Sequence, residues 1–290
     1  MKKLIATIVL SITAGAALAV PFGSQSVLVI EDGTGKVLLE KNSNAIVPIA
    51  SLTKLMTAMV VLDAKQNMDE PISIDNSDVD MLKHSTSRVP VGATIARRDV
   101  LQLALMSSDN RAAASLGRTF PGGPEAFKLA VKAKIAALGM SQTVIEEPTG
   151  LSPNNKSTAS DLVKMAVAAS AYPDIARITT DSKDLIHING RDVEYHNTNR
   201  LVGAKGWDIG LSKTGYTQEA GRCLIMRIKA AGKNATLVLL NARASSVRVL
   251  DAMNIRRFIA GDEAKERPAV IRTALRTRGG KTVKARHRRA

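Results

Sequence analysis

Residues 50–64 read ASLTKLMTAMVVLDA. From Leu55 to Leu62 only Thr57 interrupts the apolar residues. The stretch reads as a helix from about Ser51 to Ala64 that is apolar nearly all round, and a helix without a polar face belongs at the centre of a fold. Ser51 and Lys54 stand three residues apart at its head. The plainest reading makes Ser51 an N-cap and Lys54 a solvated first-turn charge. A central, buried helix is a poor place for a purely structural lysine.

Outward from this helix, the chain sorts its elements by position. On the N-terminal side, SVLVIED and KVLLEKN flank Asp32-Gly33-Thr34-Gly35, a hairpin signal. On the C-terminal side, residues 97–107 and 111–119 read as helices separated by Ser108-Asp109-Asn110. EAFKLAVKAKIAALG is a further helix stopped by Gly139, and Ala159 to Ala171 is another. HINGRDVEY carries Asn189-Gly190 between alternating residues, a second hairpin; WDIGLSK, GRCLIMRIKA and ATLVLLNAR read as strands; SSVRVLDAMNIRRFIA closes as a helix. Strands at both ends with helices between them imply an α+β fold: one antiparallel sheet with a helical subdomain, about residues 65–180, inserted between its halves.

The 290 residues, 45% of them hydrophobic, suffice for a substantial core. Residues 1–19 have a basic start at Lys2 and Lys3, a short apolar middle and a small-x-small finish at Ala17-Leu18-Ala19, the pattern of a cleavable export signal. An exported protein could carry disulfides, but Cys223 is the only cysteine and lies in an alternating strand, where it reads as a small packed hydrophobe. The net charge of +15 is concentrated at the ends: residues 262–290 hold ten Lys/Arg against three Asp/Glu. That basic tail reads as disordered and solvated, with lipid headgroups or acidic envelope polymers, not nucleic acid, as the nearest polyanions for an exported chain. Within it, Pro268 to Arg278 could form a short basic helix suited to transient contact with a membrane surface.

Three polar islands interrupt the pattern: Ser51-Leu52-Thr53-Lys54, Ser108-Asp109-Asn110 and Lys213-Thr214-Gly215, the last placed at the end of the strand WDIGLSK. S-x-x-K by itself recurs about once per chain of this size by chance. All three together, once each and in this order, are a far rarer coincidence. Positions i and i+3 on a helix are neighbours, so Lys54 can reach the Ser51 hydroxyl. Burial and the positive end of the helix dipole both lower the pKa of Lys54, which makes it a general base beside a nucleophile. Acyl transfer also needs a proton path to the leaving amine, which Ser108 and Lys213 could supply. An oxyanion hole could come from the backbone N–H groups of Ser51 and Tyr216. Gly215 would let a substrate backbone approach the strand closely.

The three islands resemble the motifs of the serine penicillin-recognising enzymes. The strings IASLTKLMTAMVVLDA, LMSSDNRAAASLGRTFPGG, EEPTGLSPNNKSTASDL, HNTNRL and WDIGLSKTGYTQEAGRCLIM resemble the low-molecular-mass D-alanyl-D-alanine peptidases, above all endopeptidases of the penicillin-binding protein 7/8 type, over roughly residues 25–260. The resemblance implies a β-lactamase-like fold with a five-stranded antiparallel sheet, flanking helices and a helical subdomain carrying the Ser-Asp-Asn motif. It implies Ser51 as acylated nucleophile, Lys54 as its base and Ser108 as proton relay. It further implies Asn110, Lys213 and Thr214 as substrate-binding residues, with Asp109 holding the motif loop. The implied substrate is the peptide stem of peptidoglycan, cleaved at a D-alanyl bond in cell-wall remodelling that bears on cell shape. β-Lactams would act as covalent inhibitors at Ser51. No cofactor or metal is implied, and the four histidines show no ligand-like spacing. The expected location is a periplasm.

Three other readings compete. A D-alanyl-D-alanine carboxypeptidase uses the same chemistry; such enzymes often carry an extra C-terminal domain and an anchoring helix, whereas here a catalytic domain over residues 20–261 is followed only by the tail. A class A β-lactamase positions a deacylating glutamate in E-x-x-L-N, which the run Glu146-Glu147-Pro148-Thr149-Gly150-Leu151-Ser152 lacks. A catalytically idle wall or polyanion binder is disfavoured by the full set of candidate catalytic residues.

Overall fold

The computed structural model describes residues 22–261, so the expected export signal and basic tail lie outside the described residues. Two strands open the fold: β1 (Ser26–Glu31) and β2 (Val37–Lys41), paired as the expected hairpin. A two-residue strand, β3 (Val47–Pro48), leads into α1 (Thr53–Asp63). A short hairpin, β4 (Pro71–Ser73) with β5 (Thr94–Ala96), brackets a long loop. The middle of the chain is helical: α2 (Arg97–Leu105), α3 (Asn110–Arg118), α4 (Gly123–Ala137), then β6 (Lys156–Ser157) paired to β3, α5 (Ala159–Ala169) and α6 (Pro173–Thr180). The hairpin β7 (Lys183–Ile188) and β8 (Arg191–His196) follows. Three long strands, β9 (Asp208–Thr217), β10 (Gly221–Ala230) and β11 (Lys233–Ala242), and α7 (Ser245–Ala260) complete it.

The main sheet has five antiparallel strands in the order β2-β1-β11-β10-β9. Because side chains alternate across a strand, its two faces bury two separate apolar sets. Val27, Val29, Leu224, Met226, Leu237 and Leu239 meet Ala252, Ile255 and Ile259 of α7 on one face. Leu28, Cys223, Ile225, Val238 and Leu240 face the larger core built on α1 and the other helices. This is the α+β architecture expected, with the β9 edge left open toward the helices.

Every residue of α1 from Thr53 to Val61 is buried, as an all-round apolar helix requires. Its polar exceptions pin a loop: the Thr57 hydroxyl donates to the Pro148 carbonyl at 2.7 Å, and Thr53 Oγ1 accepts from Asn155 Nδ2 at 3.2 Å.

Three details differ from the sequence reading. Ser51 is not an N-cap: residues 50–52 form a tight 3-10 turn, and α1 begins at Thr53 with no side-chain cap. Lys213-Thr214-Gly215 lies inside β9, not at its end, since the strand runs on to Thr217. The helix α6 has no clear sequence signal; Pro173 opens it and only Ile175, Ile178 and Thr179 are buried, too few apolar positions to set a helical period.

Candidate active site

The 3-10 turn carrying Ser51 is held between two backbones. Ala50 has φ +48°, an uncommon conformation for a residue with a side chain. On one side lies Gly150, φ +87°, where an added Cβ would fall 2.0 Å from the Ala50 carbonyl oxygen. On the other lies Gly215 of β9, whose Cβ would sit 3.0 Å from the Ser51 nitrogen. The close approach of all three segments depends on glycine at both places.

Lys54, one turn on, is 1% exposed. Its Nζ donates to Ser51 Oγ at 3.0 Å, Asn110 Oδ1 at 2.7 Å and the Thr149 carbonyl at 2.7 Å. Burial lowers its pKa to about 8, against the partial restraint of the Glu147, Asp109 and Asp80 carboxylates. The three acceptors match the three N–H bonds of an ammonium. Loss of one proton turns a lone pair toward the Ser51 hydroxyl and leaves the two 2.7 Å bonds to hold the amine in place.

A second lysine forms a parallel arrangement. Ser108 sits between α2 and α3 with φ +60°. Its Oγ accepts a 2.7 Å hydrogen bond from Nζ of Lys213, which also donates to the Thr214 carbonyl at 3.2 Å. Lys213 is buried, and desolvation, with the Lys54 and Arg248 cations, holds its pKa well below the ordinary lysine range. Asp109 caps α3 through Ala112 N–H at 3.0 Å and accepts from Ser87 Oγ at 2.7 Å, so it fixes the motif loop. Asn110 presents its carbonyl to Lys54 and donates Nδ2 to Ser85 Oγ at 2.8 Å. The Thr214 hydroxyl shares a 2.6 Å hydrogen bond with Thr198. Tyr216 is half-exposed, with the Arg222 guanidinium 3.4 Å from its ring centroid.

Hydrogen bonds and close contacts therefore bring Ser51, Lys54, Asn110 and Gly215 together, and pair Ser108 with Lys213 next to them. Five further contributors went unassigned. Thr149 acts through its carbonyl and Gly150 through its missing side chain, so neither residue type announces a role. Glu147 holds that loop: its carboxylate accepts from Thr149 N–H and Gly150 N–H, both at 2.7 Å, from Thr149 Oγ1 at 2.5 Å and from Asn155 Nδ2 at 2.9 Å. Thr198 and the buried Arg248, which donates to the Cys223 carbonyl at 3.0 Å, arrive from distant parts of the chain.

The sequence pattern of the D-alanyl-D-alanine carboxypeptidase family matches residues 13–244. The chain belongs to that family. As such it is a serine D-alanyl-D-alanine peptidase, a hydrolase with the β-lactamase-like fold. It is 44% identical over 261 residues to a D-alanyl-D-alanine endopeptidase of Pseudomonas aeruginosa, covering 89% of this chain and 84% of that one. It is 42% identical over 248 residues to the D-alanyl-D-alanine endopeptidase of Escherichia coli, covering 85% and 80%. Among solved structures, a Streptomyces DD-transpeptidase aligns with TM-score 0.76 at 24% identity over 82% of this chain and 97% of that one. A D-alanyl-D-alanine carboxypeptidase of Mycobacterium tuberculosis aligns with TM-score 0.74 at 24% identity over 85% and 95%. At that identity the two structures speak for the fold alone.

Proposed function

We propose that this peptidase is a penicillin-sensitive endopeptidase that cleaves D-alanyl cross-links between peptidoglycan stems through an acyl-enzyme on Ser51. The observation that carries it is the buried Lys54 amine, 3.0 Å from Ser51 Oγ with a pKa near 8. Neutral Lys54 takes the hydroxyl proton as Oγ attacks the D-alanyl carbonyl carbon. The resulting oxyanion is received by the backbone N–H groups of Ser51 and Tyr216. The C–N bond then breaks, and the leaving amine gains its proton through Ser108, whose hydroxyl is held by Lys213. Water repeats the sequence on the ester, releasing the donor stem and restoring Ser51. Asn110, Thr214 and Gly215 bind the peptide along the β9 edge.

The choice of endopeptidase is supported by the two relatives above, more similar and more completely covered than a Bacillus subtilis carboxypeptidase at 30% identity, of which the chain spans 59%. The enzyme works in the periplasm, reached by the signal in residues 1–19, and residues 262–290 contact anionic envelope polymers or the membrane surface. No helix among the described residues is long and apolar enough to cross a membrane.

Purified protein, a cross-linked muropeptide dimer and a pentapeptide monomer, with and without penicillin, test the reading by mass spectrometry. Penicillin-sensitive splitting of the dimer is the expected result. An intact dimer beside a pentapeptide that loses one alanine would make the enzyme a carboxypeptidase.

A further inference from the structure

Two open pockets adjoin the cleft beside Ser108 and Thr214, where the departing amine would leave. One, about 460 Å³, is lined by Arg88, Ser108, Tyr195 and His196. The other, about 660 Å³, is lined by His196, Thr198, Asn199 and Arg200. They share His196, and Thr198 is the residue bonded to the Thr214 hydroxyl.

Across the two pockets, Arg88 and Arg200 stand against one lining carboxylate, Asp109 of the first pocket. Arg88 stacks 4.1 Å over the centroid of the Tyr195 ring. Tyr195 is 1% exposed and its hydroxyl is buried without a hydrogen-bond partner, a rigid platform with unspent polarity. Among the described residues, neither Arg88 nor Arg200 has a carboxylate within ion-pair distance. The nearby acids are already engaged: Asp109 by Ser87 and Ala112, Glu194 by Lys183 at 2.8 Å and by His196 at 3.1 Å. Two arginine forks free to take carboxylates thus flank the exit side of the cleft.

We propose that Arg88 and Arg200 form a subsite for the leaving stem, holding its carboxylates on the far side of the scissile D-alanyl bond. The inference rests on the endopeptidase reading and deepens it. When a cross-link is cut, the departing amine belongs to a whole second stem, a peptide bearing free carboxylates. When a terminal residue is trimmed, a single alanine departs, whose one carboxylate lies one carbon from the leaving amine and does not extend to pockets beyond Thr198. The two arginines therefore contribute to cross-link cleavage and not to trimming, which is the distinction that the catalytic motifs themselves do not make.

The test compares the wild type with Arg88→Ala, Arg200→Ala, the double alanine variant and the Arg→Lys pair. Three rates are read for each: dimer cleavage, alanine release from a pentapeptide, and acylation by benzylpenicillin. Dimer kcat/KM should fall roughly two- to fivefold for each alanine and about tenfold for both, chiefly through KM, as expected for solvent-exposed ion pairs. Lysine should restore part of the loss, and the wild-type advantage should shrink as salt screens the contact. Pentapeptide trimming and penicillin acylation should stay near wild type, which also shows that the variants are folded. Unchanged dimer cleavage, or equal loss of all three rates, overturns the subsite. A wild type that splits the dimer while the variants match it sinks the subsite alone. A wild type that leaves the dimer intact sinks the endopeptidase reading and the subsite with it.

Discussion

Lys54 is caught between two demands. Burial disfavours an ammonium, while the Glu147, Asp109 and Asp80 carboxylates favour one, and the balance falls at a pKa of about 8. Only the neutral amine accepts the Ser51 proton. The second-order rate of penicillin acylation should therefore rise with pH, by roughly tenfold between pH 7 and pH 9, as the neutral fraction of such a group does. A flat profile would remove Lys54 as the base. Replacing Lys54 with Met should lower acylation by roughly 10²–10⁴-fold, the range of a lost general base. It should also alter the pH dependence of stability. The folded pKa lies below the unfolded value of 10.5, so the unfolded chain binds more protons between about pH 8 and pH 10.5. Wild-type stability gains on Lys54→Met across that window, by about 3 kcal/mol at most on the usual conversion, and denaturant titrations of both proteins at the two ends measure it.

At the scale of elements, the site depends on three segments crossing within van der Waals contact: the Ser51 turn, the Gly150 loop and strand β9. Gly150→Ala meets both a positive φ and a 2.0 Å overlap with backbone, whereas Gly215→Ala meets contacts of 3.0–3.1 Å with residues 49–51 at an ordinary φ. Gly150→Ala should thus cost more melting temperature and more penicillin labelling than Gly215→Ala; the reverse order would mean that the loop, not the strand, can yield. Asp109→Ala removes the α3 cap and should cost about 1 kcal/mol, with labelling reduced further because Asn110 loses its fixed place beside Lys54. The sequence discloses elements where composition matches burial: β10 and β11 carry near-continuous apolar runs because both faces of the sheet are covered, and α7 turns Ala252, Ile255 and Ile259 to one face. It misleads where polar residues are buried for a purpose. Lys213-Thr214-Gly215 reads as the end of a strand because polar residues usually meet water, yet Lys213 and Thr214 are buried inside β9. Likewise Ser51 reads as a cap, but its hydroxyl is turned to Lys54 and the backbone forms a 3-10 turn. Contributions made by a carbonyl, as at Thr149, or by packing across nearly a hundred residues, as between Lys54 and that carbonyl, leave no mark on local pattern.

In the whole molecule, the sheet with α7 and the helical half meet at the Ser51 turn, and the cleft opens between β9 and the Ser108–Asn110 break. The two sides are joined again at the surface, where Lys83 pairs with Glu219 in the turn between β9 and β10. Among the described residues, the buried bases bonded to Ser51 and Ser108 are Lys54 and Lys213; the carboxylate of Glu147 is spent on the loop that carries Thr149. Hydrolysis of the acyl-enzyme must therefore reuse the machinery that formed it, with water taking the place of the departed amine. After cross-link cleavage the leaving stem diffuses away and that place is open. After attack on a β-lactam the amine freed by ring opening stays joined to the acyl group and keeps water from the exit side. The penicillin adduct on Ser51 should accordingly outlast many cycles of dimer cleavage, as followed by intact mass. Glu147→Gln should leave its lifetime unchanged while slowing its formation, because the loop bonds and not a water-activating base are lost. Rapid turnover of penicillin, abolished in Glu147→Gln, would instead place a deacylating carboxylate in this cleft.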